Sequence, residues 1–485
     1  VPGVTVVDSP ATEAPAPSPS SPTDAIVIGG GLVGGALALA LAAEGARVAV
    51  VEAAGVGDGG IHPRHPRSPR LKDCGGDESG GGDGEDAQVS FDARNVALAD
   101  AARRWFATLG VWDDIAPHAQ AIADIHISER GGFGMTHLTR AHAGACALGF
   151  VAPTRVIGRA LHRRLRAGDG VDVYCPARAT GLRVGQSAAE VDIEFSADDT
   201  GTGTTTGTGN TGDDTAADTV TGTTTGTVTG TTAVTLTAPL VVLADGGRSA
   251  LAAQAGLSAA RATAYNQVAI ACVIAADRAH NGRAYERFTA EGPLALLPHR
   301  AHAGRGFAVV WAGEPAAAAA RMALDDADFT AALQAAFGER AGRFASASPR
   351  AQYPLRFGRA SSPTAKRAVS VGNAAHLVHP VAAQGLNLGL RDAAALAALV
   401  GRAKRAGRDP GGAEVLAKYA SLRRRETARV VAFTDGLIRV FGARAPVIRL
   451  ARNLGLAGLE CCPPAKRFLL RRTMGTAALA GLAGG

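Results

Sequence analysis

Two glycine-rich segments near opposite ends of the chain hold the residues best suited to chemistry. Gly29, Gly31 and Gly34, in GGGLVG, follow the apolar run Ala25–Ile28 and open an Ala/Leu-rich stretch. In that setting the first glycine permits a tight turn and the second lets backbone approach a pyrophosphate. The third lets helix and strand pack closely. Phosphate then rests on the positive end of the helix. Glu52 closes the next apolar run, where an acid accepts hydrogen bonds from ribose hydroxyls. The second segment is GNAAHLVHPVAAQGLNLGLRD, Gly372–Asp392. Gly385 there permits close backbone approach, and the amides of Leu386 and Asn387 at a helix start supply positive potential. Two ends of one chain closing on one long ligand point to FAD and to an oxidoreductase.

Other residues refine this picture. Asp245-Gly246 ends a strand and begins a turn, in position to hold cofactor phosphate or ribose and to touch a pyridine nucleotide. Arg94, in FDARNVAL, is either a solvated arginine or a residue at the cofactor. Asn373 belongs to the same loop as His376 and His379, and both histidines could equally be packed loop residues. Metal binding by that pair is not expected, because no third ligand or acid cluster lies nearby. No GxSxG-type nucleophile motif occurs.

The elements that must position these residues can be read from periodicity. Ala25–Ile28, a helix to Ala43 ended by Gly45, and a strand Arg47–Val51 form a βαβ unit of Rossmann length. Strands are predicted at Ile122–Ser128, Val171–Tyr174, Leu236–Ala244 and Ala368–Val371, and helices at Arg155–Arg166 and Phe329–Phe337. Runs such as AIACVIA and FAVVW between Gln267 and Trp311 predict an antiparallel sheet. The chain is expected to divide into a leader (1–23) and a cofactor domain (24–190, 233–260 and 356–400). A substrate lobe (261–355) and a helical C-terminal region (401–485) complete it. Residues 53–87 and the Gly/Thr tract 200–232 have no apolar period, and both are predicted to be inserted loops or hairpin tips.

Composition removes several classes. The net charge is +7, but the basic residues are scattered and no nucleic-acid module is present, so nucleic acid is not an expected partner. Six cysteines without CxxC spacing fit a reducing compartment and no structural metal. The N-terminus lacks the pattern of a signal peptide and no apolar run is long enough to span a bilayer. A cytoplasmic placement is therefore expected.

These motifs in this order are joined by FDARNVALAD, IHISERGGFGMTHL, RAYERFTAEGPLALLP and the tail FTDGLIRVFGARAPVIRLARNLGLAGLE. Together they resemble the FAD monooxygenases of the para-hydroxybenzoate hydroxylase type, and within them the ubiquinone-biosynthesis hydroxylases. The resemblance runs from Asp24 to about Gly475, the two insertions excepted. It implies an α/β fold: a Rossmann-type FAD-binding domain, an antiparallel-sheet substrate lobe and a helical C-terminal region. It implies that NADPH or NADH reduces FAD and that O2 adds to give a flavin C4a-hydroperoxide, which an electron-rich phenol attacks. The implied substrate is a polyprenylated phenol. Within the group the likeness is greatest to the methoxyphenol hydroxylases, which convert 2-polyprenyl-6-methoxyphenol to the 1,4-benzoquinol.

A sister hydroxylase acting at another ring carbon stays open, as does a non-hydroxylating FAD-binding subunit of a quinone-synthesis complex. Other ubiquinone-biosynthesis proteins are then candidate partners. His379 is the candidate for proton handling, from its place beside the flavin loop. Many relatives carry Gly-Asp where this chain has Gly372-Asn373, and Asn can still accept and donate there. The C-terminal stretch LIRVFGARAPVIRLARNLGLAGL reads either as a helix covering the core or as a peripheral contact with the inner membrane.

Overall fold

The computed structural model describes residues 22–53, 94–195, 233–247, 250–258, 263–381, 384–443 and 445–473. Apart from residues 22, 23 and 53, the predicted leader and both low-complexity insertions lie outside the described residues.

The chain opens with β1 (Ala25–Ile28), α1 (Leu32–Ala43) and β2 (Val48–Val51). Every residue of both strands is buried, as continuous Ala/Val/Ile runs require in a sheet covered on both faces. Helix α1 is buried along Gly34–Leu41 and packs against helices Thr154–Ala167 and Gln384–Arg405. An α-helix that is apolar all round has to be enclosed in this way. The sheet order is Thr364–Ala365, Ala368–Ser370, Leu240–Leu243, β1, β2 and Val171–Tyr174, parallel except at the two-residue edge.

The single strand predicted over Leu236–Ala244 is two strands. Pro239 has no N–H to give a ladder, and the chain changes sheets there. Ala233–Ala238 pairs with Ala189–Phe195 in a three-stranded antiparallel sheet, while Leu240–Leu243 enters the parallel sheet beside β1. Glu194 lies opposite Ala233, so the two ends of the undescribed stretch 196–232 are neighbours across one ladder. Replacing that stretch with a two-residue Asn-Gly turn should therefore keep FAD and turnover, since closing a shorter loop costs little. A folded, flavin-loaded but inactive deletion, assayed by NAD(P)H oxidation, would show that the tract does more than connect strands.

The substrate sheet has nine strands drawn from distant parts of the chain. Its order is His376–Leu377, Ala351–Arg359, Thr263–Ala276, Gly306–Gly313, Gly292–His299, Arg283–Thr289, Asp124–Glu129 and Met135–Thr139, with Phe344–Ala347 beside Thr263–Ala276. The hairpin 124–139, which the sequence reading kept with the cofactor domain, belongs to the far edge of this sheet. It docks by parallel pairing of Asp124–Glu129 with Arg283–Phe288. The back of the sheet is sealed by helices Pro315–Met322 and Asp326–Phe337 through Phe307, Trp311, Phe329 and Phe337. Asp325 starts the second of these helices by accepting the Asp328 amide at 2.8 Å. Helices Ala413–Gly442, Pro446–Glu460 and Pro463–Thr473 end the described residues, the last two each opening on a proline.

Candidate active site

Four motifs follow four neighbouring parallel strands. Gly29–Gly31 follows β1, Glu52 follows β2, Asp245-Gly246 follows Leu240–Leu243, and Gly372-Asn373 follows Ala368–Ser370. Loops at the carboxyl ends of adjacent parallel strands open into one crevice, the usual ligand position in such sheets. The topology thus gathers residues that the sequence scatters.

Within the glycine turn, the protein itself explains two of the three glycines. Gly29 has φ +101°, and a Cβ there would lie 2.8 Å from the Ala244 carbonyl. A Cβ on Gly34 would lie 1.9 Å from Gly29 O. Gly31 differs: its φ of −63° suits any residue, and an added Cβ meets nothing within 4 Å. Among the described residues no contact calls for glycine at this position, whereas a pyrophosphate seated at the start of α1 would. The residues present therefore fit a dinucleotide.

Buried Glu52 accepts the Gly30 N–H through Oε2 at 2.7 Å and so fixes the turn. On the other side of Gly30, the buried ring of His162 donates from Nε2 to Gly30 O at 2.8 Å. Burial lowers the His162 pKa, which favours the neutral ring. No local motif marks His162, which lies 132 residues from its partner. Its one sequence signal would have been a histidine on the apolar face of helix Thr154–Ala167.

Across the crevice, Asp245 Oδ1 accepts the Gly247 amide at 3.0 Å and closes the turn through Gly246, whose φ is +76°. Gly372 has φ +59° and sits against Val33 of α1, with Asn373 exposed beside it. Gly385, Leu386 and Asn387 lie in the first turn of helix Gln384–Arg405, where backbone N–H groups have no intrahelical acceptor. The side chain of Asn387 points elsewhere. It accepts from Ala99 N at 2.8 Å and donates to Ala97 O at 2.9 Å, clamping the helix start to strand Asn95–Ala99.

A buried charge network holds this loop from behind. Asp392 Oδ2 meets His376 Nε2 at 2.5 Å and the Gly372 amide at 3.1 Å, and Oδ1 accepts from Arg423 Nε at 2.6 Å. Burial works to raise the Asp392 pKa, but His376 and Arg423 outweigh it and bring it to about 2. His376 is thus a packed loop residue facing an aspartate, and no group of three metal-binding side chains forms among the described residues.

Two contacts join the crevice to the substrate sheet. The His379 ring lies 3.1 Å from Gln267 Oε1 through Nε2, and its Nδ1 accepts the Val381 amide at 3.1 Å. Burial takes its pKa down to about 4. With both ring nitrogens engaged inside the protein, this geometry lends no support to the expectation that His379 handles a proton. The Arg94 guanidinium lies over the Tyr353 ring at 4.4 Å, on strand Ala351–Arg359. Gln267 and Tyr353 carry no sequence motif, and only their strand pairing brings them here.

The FAD binding domain family matches residues 88–434 of this chain. The chain is 32% identical to the ubiquinone hydroxylase UbiL of Rhodospirillum rubrum, covering 98% of this chain and 95% of that protein. It is 25% identical to the 3-demethoxyubiquinol 3-hydroxylase of Escherichia coli, over 94% and 99% of the two chains. Among solved structures, p-nitrophenol 4-monooxygenase from Pseudomonas putida superposes with a TM-score of 0.66 at 16% identity, over 94% and 99% of the chains, which bears on fold alone. The chain belongs to the FAD binding domain family, among the FAD-dependent hydroxylases of ubiquinone biosynthesis.

Proposed function

We propose that this enzyme hydroxylates a polyprenylated phenol with NAD(P)H and O2, taking 2-polyprenyl-6-methoxyphenol to the 1,4-benzoquinol. The observation that carries the reading is the crevice itself: four strand ends holding a glycine that no contact among the described residues requires, set against an apolar sheet. FAD, when bound, supplies reduction by the nicotinamide and activation of O2. Gly31 would give the pyrophosphate its approach, with Gly29 shaping the turn and Gly34 letting helix and strand pack closely, and Glu52 would serve a ribose while keeping the Gly30 turn in place. Asp245, Gly246 and Asn373 line the opposite wall, and Gly385 admits the ring system. The amides of Leu386 and Asn387 stabilise negative charge that builds on the ring, because they sit at the positive end of a helix.

On the sheet side, Ala269, Val310, Ala312 and Leu355 form an apolar wall that excludes water and receives the phenol. Arg94, stacked on Tyr353, stands at the edge of that wall, and we assign it a cofactor-side role. His379, kept neutral by burial, is a positioning residue that joins the flavin loop to Gln267. A long prenyl tail also needs an apolar exit. Val447, Leu450 and Leu454 on helix Pro446–Glu460 are exposed, and we read them as facing the membrane that stores such a substrate. No helix among the described residues is long and apolar enough to cross a membrane.

The test is product analysis with ¹⁸O2, NADPH or NADH, and a short-chain prenyl-methoxyphenol. One labelled oxygen in the first-formed quinol is expected, and NMR of that quinol fixes the carbon. Peroxide as the only oxygen product would count against this substrate. Hydroxylation at a different carbon would favour a sister reaction, as the name of the Escherichia coli relative suggests.

A further inference from the structure

At the outer edge of the substrate sheet, Arg287 has two arginine neighbours close enough to act on its charge, Arg130, whose amide donates to Phe288 O at 2.8 Å, and Arg340. Arg287 is on strand Arg283–Thr289, Arg130 follows strand Asp124–Glu129, and Arg340 lies in the turn after helix Asp326–Phe337. Arg287 donates to Ser128 Oγ at 3.2 Å, and its Nε is buried with no partner. Arg340 donates to His126 Nε2 at 3.2 Å and approaches Met135 Sδ at 3.8 Å. Among the described residues, no carboxylate pairs with any of the three.

Three acids of the neighbouring strands and helices are paired with other groups. Asp124 binds Arg283 at 2.5 Å, Glu129 binds Arg452 and Asn453, and Glu460 binds Lys466 at 2.6 Å. Burial and the charges of Arg340 and Arg130 lower the Arg287 pKa. His126, buried beside them, is brought to about 4 by burial first and then by its neighbours His137, Arg340, Arg283 and Arg287. Mutual repulsion in a partly desolvated cluster is relieved by an anion, and guanidinium forks match the tetrahedral oxygens of phosphate.

What surrounds the cluster selects the kind of phosphate. Phe133 is 65% exposed and Met135 37% exposed on the adjoining hairpin. Arg449 of helix Pro446–Glu460 donates to Gly131 O at 2.5 Å, which ties the hairpin turn to the helix bearing exposed Val447, Leu450 and Leu454. Cationic side chains beside a continuous apolar surface are the arrangement that meets lipid headgroups.

We propose that Arg130, Arg287 and Arg340 bind a phosphate group, and that the adjoining apolar surface makes it the headgroup of an anionic membrane lipid. The inference rests on the membrane-facing reading of the C-terminal helices, and the two are separable by experiment. The FAD-loaded full chain is sedimented with phosphatidylcholine vesicles, with and without about 30 mol% phosphatidylglycerol. The wild-type protein should prefer the anionic vesicles by at least roughly tenfold. Arg130→Ala combined with Arg340→Ala, both exposed positions, should abolish that preference while flavin content and NAD(P)H oxidation with a soluble phenol stay unchanged.

Leu450→Glu combined with Leu454→Glu should instead weaken binding to both vesicle types. An arginine variant that keeps the preference overturns the site. Equal wild-type binding to both vesicles also overturns it and leaves the apolar face standing. Binding to neither overturns both readings. Calorimetry with inorganic phosphate covers the other source: tight binding lost in the arginine variant, with no vesicle preference, would assign a soluble phosphate and overturn the lipid.

Discussion

Gly31→Asp is expected to give a folded protein that purifies without flavin. An aspartate there adds its carboxylate where the pyrophosphate would sit, and two such charges about 4 Å apart repel by roughly 4 kcal/mol at an intermediate dielectric. That is a loss of about a thousandfold in FAD affinity. The fold should tolerate the change, because a Cβ at Gly31 meets no atom within 4 Å and its φ is −63°. Gly34→Ala is the informative contrast. Its methyl would lie 1.9 Å from Gly29 O, so the helix must move off the turn, at a cost of about 3 kcal/mol in stability. Flavin absorbance of the purified proteins and urea midpoints separate the two effects. A yellow Gly31→Asp protein would remove the pyrophosphate from this turn.

Asp392→Ala should be the most destabilising single change near the site. It leaves His376 buried without its carboxylate, removes one of the two carboxylates that Arg423 meets (Glu426 is the other) and frees the Gly372 amide, for an expected loss of about 3 kcal/mol. The pH dependence has a definite sign. Asp392 has a lower pKa in the fold, about 2, than the ordinary carboxylate value of about 3.9. Its contribution is therefore complete above the ordinary value and is lost as pH falls through the folded value. Urea midpoints measured from pH 5 down to about pH 2 should fall steeply for the wild type and less steeply for Asp392→Asn. Parallel curves would mean that the network is not what holds the loop at acid pH.

Much of the cofactor crevice could be read directly from the chain, for a physical reason. Each piece of it is local: a run of β-branched residues, then glycines or an acid at the strand end. The same locality made α1 and strand Thr263–Ala276 legible. Long-range partners left no such trace. Ile122–Ser128 reads as a strand, but nothing local says that its neighbour is Arg283–Thr289 of the substrate sheet. Pro239 removes a single ladder donor, a weak local signal inside an otherwise continuous apolar run. His162, Gln267 and Tyr353 act through contacts that only the assembled sheets create. Asp392 lay inside a motif already singled out, but its charge partner Arg423 sits on the next helix, 31 residues on.

Both sheets take strands from early and late in the chain, and this bears on how the protein comes to be folded at all. The parallel sheet receives Ala368–Ser370 beside Leu240–Leu243, and the substrate sheet is closed by His376–Leu377. On a ribosome adding about 5–20 residues per second, neither sheet can be finished until most of the chain has emerged. The half-built edges carry unpaired N–H and C=O groups in the meantime, and contacts between residues so far apart in sequence form slowly. Fragments ending near residue 260 should therefore be insoluble rather than miniature flavin binders. Yield in cells should respond to chaperone supply and growth temperature more than to substitutions in any one motif.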